Sequence, residues 1–153
     1  MKKRGFTLIE LIVVLSIITI LFTFSYGFIK SFKNREEKLT IDSSVYEIKA
    51  LLSYSKSYCR KNKVSGKVVI DKNRKYVSFT VSNSYSPITR TVKMDSDIQV
   101  GSNFSLGYTE INEEGFIKNS GTIKLSYNDK VFKEIRIGVG NDIIGINEGD
   151  LIE

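Results

Sequence analysis

Residues 1–30 read MKKRGFTLIELIVVLSIITILFTFSYGFIK, and the reading of the whole chain turns on one glutamate, Glu10, inside an otherwise uncharged run from Phe6 to Ile29. A carboxylate in an apolar segment is costly enough that it ordinarily has a partner or a task. The run is 24 residues long, roughly 36 Å as a helix, which predicts a segment able to span a hydrocarbon core of about 30 Å. Lys2, Lys3 and Arg4 ahead of it favour a cytoplasmic N-terminus, with everything after Lys30 delivered to the outer side.

A secretory signal is the plain alternative. It would carry an apolar stretch of about 7 to 15 residues and then a small-residue cleavage site. Here the run is longer and no A-x-A-like site follows it. The small residue lies on the other side, at Gly5, where a cut would remove the basic leader and keep the apolar helix.

Composition narrows the rest. The chain has 153 residues, no histidine and one cysteine, Cys59, so His-based zinc sites, Cys/His nucleophilic pairs and intramolecular disulfides are excluded. About 120 residues remain after the opening segment, enough for one small domain. The net charge of +6 is partly local: without Lys2, Lys3 and Arg4, 20 basic side chains face 17 acidic ones. That residue of charge is weak support for a nucleic-acid partner.

Beyond Lys30 a helical stripe continues. Ile41, Val45, Ile48, Leu52, Ser55 and Cys59 fall on one face, which predicts an amphipathic helix to about Asn62. Cys59 reads as a small buried hydrophobe on that face, with an intermolecular disulfide as the alternative. After Asn62 the period becomes two. Val64–Ile70 reads as a strand, residues 72–74 as a turn, and Tyr76–Val81 as a strand with Val77, Phe79 and Val81 inward. Residues 83–90, which hold the single proline Pro87, read as a loop, followed by short strands in TVKM and DIQV. GTIKLSY and VFKEIRIGV form a hairpin about residues 128–130, with Ile123, Leu125, Tyr127, Ile135, Ile137 and Val139 inward. The expected class is α+β, a long helix whose first half is transmembrane and whose second half packs on an antiparallel β head. The segments are a leader over 1–5, a membrane and core helix over 6–29, an amphipathic continuation over 30–62 and the β head over 63–153.

The run GFTLIE after KKR, residues Gly5 to Glu10, resembles the processing motif of type IV pilins and pseudopilins. The resemblance implies cleavage by a prepilin peptidase between Gly5 and Phe6, N-methylation of Phe6, and a subunit-assembly role for Glu10. Independently of the family, a free amine at Phe6 in a staggered neighbour could form an ion pair with that carboxylate. Gly115, Phe116, Gly121, Thr122, Ile123, Leu125, Ile135, Ile137 and Gly140 resemble the C-terminal half of GspH/FimT-type minor pseudopilins, although Asn141 and Asp142 stand where that family often has a basic residue. A structural subunit of a secretion pseudopilus, a competence filament or an adhesive pilus is thereby implied. Its partners would be the peptidase, other pilin or pseudopilin subunits, an inner-membrane assembly platform and membrane lipid, and its final place a surface filament.

Other constellations carry less. Asp95 and Asp97 share a strand face but suit a solvated turn, Glu110, Glu113 and Glu114 flank a glycine turn, and Asp142, Glu148, Asp150 and Glu153 lack the ordered spacing of a calcium loop. GVG at 138–140 lacks the context of a phosphate loop. Lys56, Arg60, Lys61, Lys63, Lys67, Lys72, Arg74 and Lys75, with Tyr54, Tyr58 and Tyr76 nearby, are the candidates for DNA contact. The expectation is no enzyme, no cofactor and no metal.

Overall fold

The computed structural model describes residues 7–81, 88–127, 131–139 and 144–148. One helix, α1, covers Leu8–Asn62, and eight strands follow: β1 Gly66–Asp71, β2 Tyr76–Val81, β3 Ile88–Lys93, β4 Ile98–Ser102, β5 Tyr108–Ile111, β6 Gly121–Tyr127, β7 Val131–Ile137 and β8 Ile144–Glu148. By contacts the chain divides into a unit over 1–37 and a unit over 38–153.

In the first unit every large apolar side chain from Leu8 to Phe22 is exposed, Leu8 at 79% and Phe22 at 73%. The hydroxyls of Ser16, Thr19 and Thr23 donate to the carbonyls of Ile12, Leu15 and Thr19, one turn back, so the helix satisfies its own polar groups. The expected transmembrane half is not found: among the described residues no helix is long and apolar enough to cross a membrane. The side chains described without a break run only to Thr23, and Leu8 to Thr23 rises about 24 Å against a core of about 30 Å. Glu10, Ser16, Thr19 and Thr23 dilute the apolar character along it. The expected single-pass anchoring, with a cytoplasmic N-terminus and lipid as a partner, is corrected with it.

The second unit follows the sequence pattern closely. Ile41, Val45, Ile48, Leu52, Ser55 and Cys59 are all buried, so the stripe at helical spacing is the face that packs. The helix stops where Lys63 turns left-handed at φ 52 and the Val64 N–H reaches back to the Cys59 carbonyl at 3.2 Å. This is a Schellman-type stop, with Val64 against the core and Arg60 and Lys61 in the last turn where the helix dipole favours cations.

The strands form two antiparallel sheets, ordered β3-β2-β1-β5 and β4-β6-β7-β8. Their inner faces and the α1 stripe share one core, from Ile41 and Leu52 through Val68, Val77 and Phe79 to Ile98, Leu125 and Ile135. The long helix against antiparallel strands is the α+β arrangement expected. Three local readings change. Ile88, Thr89 and Arg90 belong to β3 and not to a loop, β5 had no counterpart in the sequence reading, and Val139 lies beyond β7 and is 57% exposed. The 128–130 turn and Pro87 lie outside the described residues.

Close approach fixes two glycines. At Gly66 a Cβ would collide with the Phe79 ring and lie 3.2 Å from Cys59 Sγ. Gly115 has φ +82, and a Cβ there would lie 2.6 Å from the Lys56 carbonyl oxygen, so the turn after β5 can sit on the end of α1 only without a side chain.

Candidate functional site

Glu10 lies in the first turn of α1, where the unpaired N–H groups of a helix favour a carboxylate, and its side chain is exposed. The Glu10 N–H itself donates to the Thr7 carbonyl at 3.1 Å. Around it Leu8, Ile9, Leu11 and Ile12 are more than half exposed. Gly5 and Phe6 lie outside the described residues, so the processing pair has no geometry here.

In the head several of the basic residues that are grouped in the sequence take different partners. Lys56 is 7% exposed, beneath the turn that carries Gly115. Arg60 Nε donates to the Glu114 carbonyl at 3.1 Å, and Asn112 Oδ1 accepts from the Glu114 and Phe116 N–H groups. That network fastens the turn to the helix end. Lys67 and Lys118 converge on Glu110 at 3.4 and 3.0 Å, and Lys67 also lies 4.8 Å from the centre of the Tyr108 ring. The hydrogen bond from Lys118, before its charge and the contact from Lys67, holds the Glu110 carboxyl below the ordinary carboxylate range. That contribution is present above the ordinary range and lost as the pH falls through the depressed value. Lys75 donates to the Ser96 carbonyl, and Arg74 closes the β1–β2 turn through its N–H to Asp71 Oδ1 at 2.9 Å. Lys56 by burial and Arg60, Lys67 and Lys75 by their partners are thus each engaged within the head.

The carboxylate candidates behave likewise. Asp95 Oδ1 accepts the Ser96 N–H at 2.7 Å, and Asp97 Oδ2 accepts the Tyr127 hydroxyl at 3.3 Å. Among the described residues no group of three or more His, Cys, Asp or Glu could hold a metal ion. Asp142, Asp150 and Glu153 lie outside the described residues. Gly138 and Val139 follow β7, while Gly140 is also outside them. Cys59 is fully buried and unpaired, and burial pushes its thiol up to about 11, which suits the buried-hydrophobe reading.

Three features were not read from the sequence. Arg90 on β3 lies 4.5 Å from the centre of the Tyr54 ring on α1. Lys133 on β7, 6% exposed, reaches Asp42 on α1 at 3.3 Å. Beside α1, β3 is an edge strand. Each joins residues far apart in the chain, and only an Arg or Lys at an otherwise inward strand position could have signalled the first two.

Residues 1–26 match the family described as the prokaryotic N-terminal methylation motif. No curated protein matches the chain. Among solved structures the fold is similar to that of the type IV minor pilin FimU of Pseudomonas aeruginosa, with a TM-score of 0.52 and 16% identity over 71% of this chain and 87% of that one. The chain therefore carries an N-terminal methylation motif, within residues 1–26, and its fold is similar to that of a type IV minor pilin.

Proposed function

We propose that the chain is a minor subunit of a type IV pilus-like filament serving protein secretion or DNA uptake, cut between Gly5 and Phe6 and methylated on Phe6. Its partners in this reading are a prepilin peptidase, other pilin or pseudopilin subunits and an assembly platform. One observation carries it: within the stretch that matches the methylation motif, residues 1–26, stands a helix whose aliphatic residues are exposed on every side from Leu8 to Phe22. A helix apolar all round is stable when other helices surround it, and packing among the equivalent helices of a filament supplies that cover. Glu10 then meets the methylated amine of a neighbouring subunit, an ion pair that favours one stagger over others.

Intact-mass analysis of protein isolated from its native cells is expected to show loss of residues 1–5 and one methyl group on Phe6. A mature chain that retains Met1 contradicts the reading.

Glu10→Gln keeps the volume and hydrogen-bonding capacity of the side chain and removes its charge. Leader removal is expected to proceed normally, while recovery of the subunit in sheared filaments, and with co-purifying pilin-like subunits, falls several-fold. Unchanged recovery would remove Glu10 from the assembly mechanism and leave it as a first-turn carboxylate.

A further inference from the structure

Sheet β3-β2-β1-β5 has two edges, and they are treated differently. At β5 the edge is closed: the Lys118 N–H donates to the Glu110 carbonyl at 2.9 Å, and Ile111 bridges to Ile117. At β3 the register shows an open row. The Met94 N–H donates to the Lys75 carbonyl at 2.8 Å, so these two residues form a hydrogen-bonded pair just beyond Tyr76↔Lys93. Bonded and non-bonded pairs alternate along an antiparallel ladder. Val92, Arg90 and Ile88 therefore bond to Val77, Phe79 and Val81, and Thr89, Thr91 and Lys93 turn their N–H and C=O groups away from β2. Those outward groups have no partner among the described residues, and all three residues are exposed.

Beside that row runs a groove. A cavity of about 410 Å³ lies between Glu47, Ala50 and Leu51 of α1 and residues 90–92 of β3. A second, of about 520 Å³, continues past Glu47 along α1, with residues 93–95 on the strand side. Helix on one wall and free strand edge on the other is the geometry that receives a peptide by strand addition, where backbone bonds give affinity and alternate side chains give selectivity.

The geometry points to this groove as a docking site for an extended segment of a partner polypeptide, added antiparallel to β3. Its chemistry follows from the two faces of β3. Guest residues opposite Thr89, Thr91 and Lys93 share their outer face, where Lys93 favours an acidic side chain. Guest residues between them point toward α1, beside Val92, Ala50 and Leu51, with Glu47 and Arg90 also on the wall, so that small side chains fit. A second copy paired through the same edge is the competing occupant, and the mass of the protected species distinguishes it.

The probe is a capped hexapeptide alternating glutamate and valine, EVEVEV, added to the full chain held in mild detergent because of its exposed aliphatic helix. Its control carries N-methyl groups on the glutamates, which removes the donors facing β3 and keeps charge and shape. In the free chain the amides of Thr89, Thr91 and Lys93 are expected to exchange with deuterium much faster than those of Arg90 and Val92. At saturating peptide the three are expected to slow on the order of tenfold or more, with no slowing by the N-methylated control. Thr91→Pro removes one outward N–H at a position where an edge strand tolerates proline, and is expected to abolish protection with the melting temperature little changed. Slow exchange in the free monomer would mean that the chain covers its own edge, and slow exchange with a dimer mass would mean that a second copy does. No protection by the peptide, or equal protection by both peptides, also overturns the proposal.

Discussion

Replacing Phe79 by alanine is expected to lower the unfolding free energy by about 3–5 kcal/mol, the range for deleting a fully buried phenyl ring. Phe79 is fully buried at the point where helix and sheet meet. Its ring stands edge-on to Tyr54, with centroids 6.3 Å apart and planes at 83°, and to Tyr58 at 6.0 Å and 67°. Such edge contacts add to the area buried, and the ring also fills the space that Gly66 leaves open. Urea unfolding followed by circular dichroism should show a lower midpoint at unchanged slope, the signature of a stability change alone. A loss below about 1 kcal/mol would mean that the tyrosines collapse into the vacated volume.

The second large effect is expected at Gly115, a surface turn that a composition-based reading would leave alone. With φ +82 and the Lys56 carbonyl oxygen 2.6 Å from where a Cβ would stand, Gly115→Val combines left-handed strain with a collision against backbone. The strain alone is worth about 1–3 kcal/mol. Relief requires the turn to lift from the helix end, which breaks the Arg60 bond to the Glu114 carbonyl. The expected result is a loss of about 2 kcal/mol or more, together with faster hydrogen exchange over residues 112–118. A folded variant of unchanged stability and exchange would show that the turn does not hold the helix end.

The secondary structure of the head was legible where periodicity met burial directly. The spacing of Ile41, Val45, Ile48, Leu52 and Cys59 names the packed helix face, and the alternation in β2 and β6 names the inner residues. Strand β5 was hidden because its inward residues are Thr109 and Ile111: a buried threonine breaks the apolar alternation, and its hydroxyl is satisfied by the Asn119 carbonyl at 3.2 Å. The start of β3 was hidden by Pro87, which reads as loop although a strand can begin directly after a proline. The division into two sheets was not legible because pairing is decided by residues far apart in sequence. The span expected of the opening run came from counting apolar residues, a measure that the described helix does not meet.

The candidate site divides along the same line. The methylation motif is local and was read outright from Gly5 to Glu10. The partners of the basic residues were not legible, because they come from distant strands and turns: Arg60, Lys67 and Lys75 each turn to a different one. The free edge of β3 depends on which strands pair and in what register, so no local pattern could have marked it.

The strand order also sets a sequence of events during synthesis. Strands β1, β2 and β3 pair with their chain neighbours and can close as soon as they emerge, but β1 completes its other side only with β5, through Gly66↔Ile111 and Val69↔Tyr108. The intervening β4 is committed to the other sheet, whose centre, β6 and β7, is made later still. Until β5 leaves the ribosome, the β1 edge stays unpaired. Such non-local closure is slow, and an unpaired strand edge is open to wrong pairing for as long as it waits.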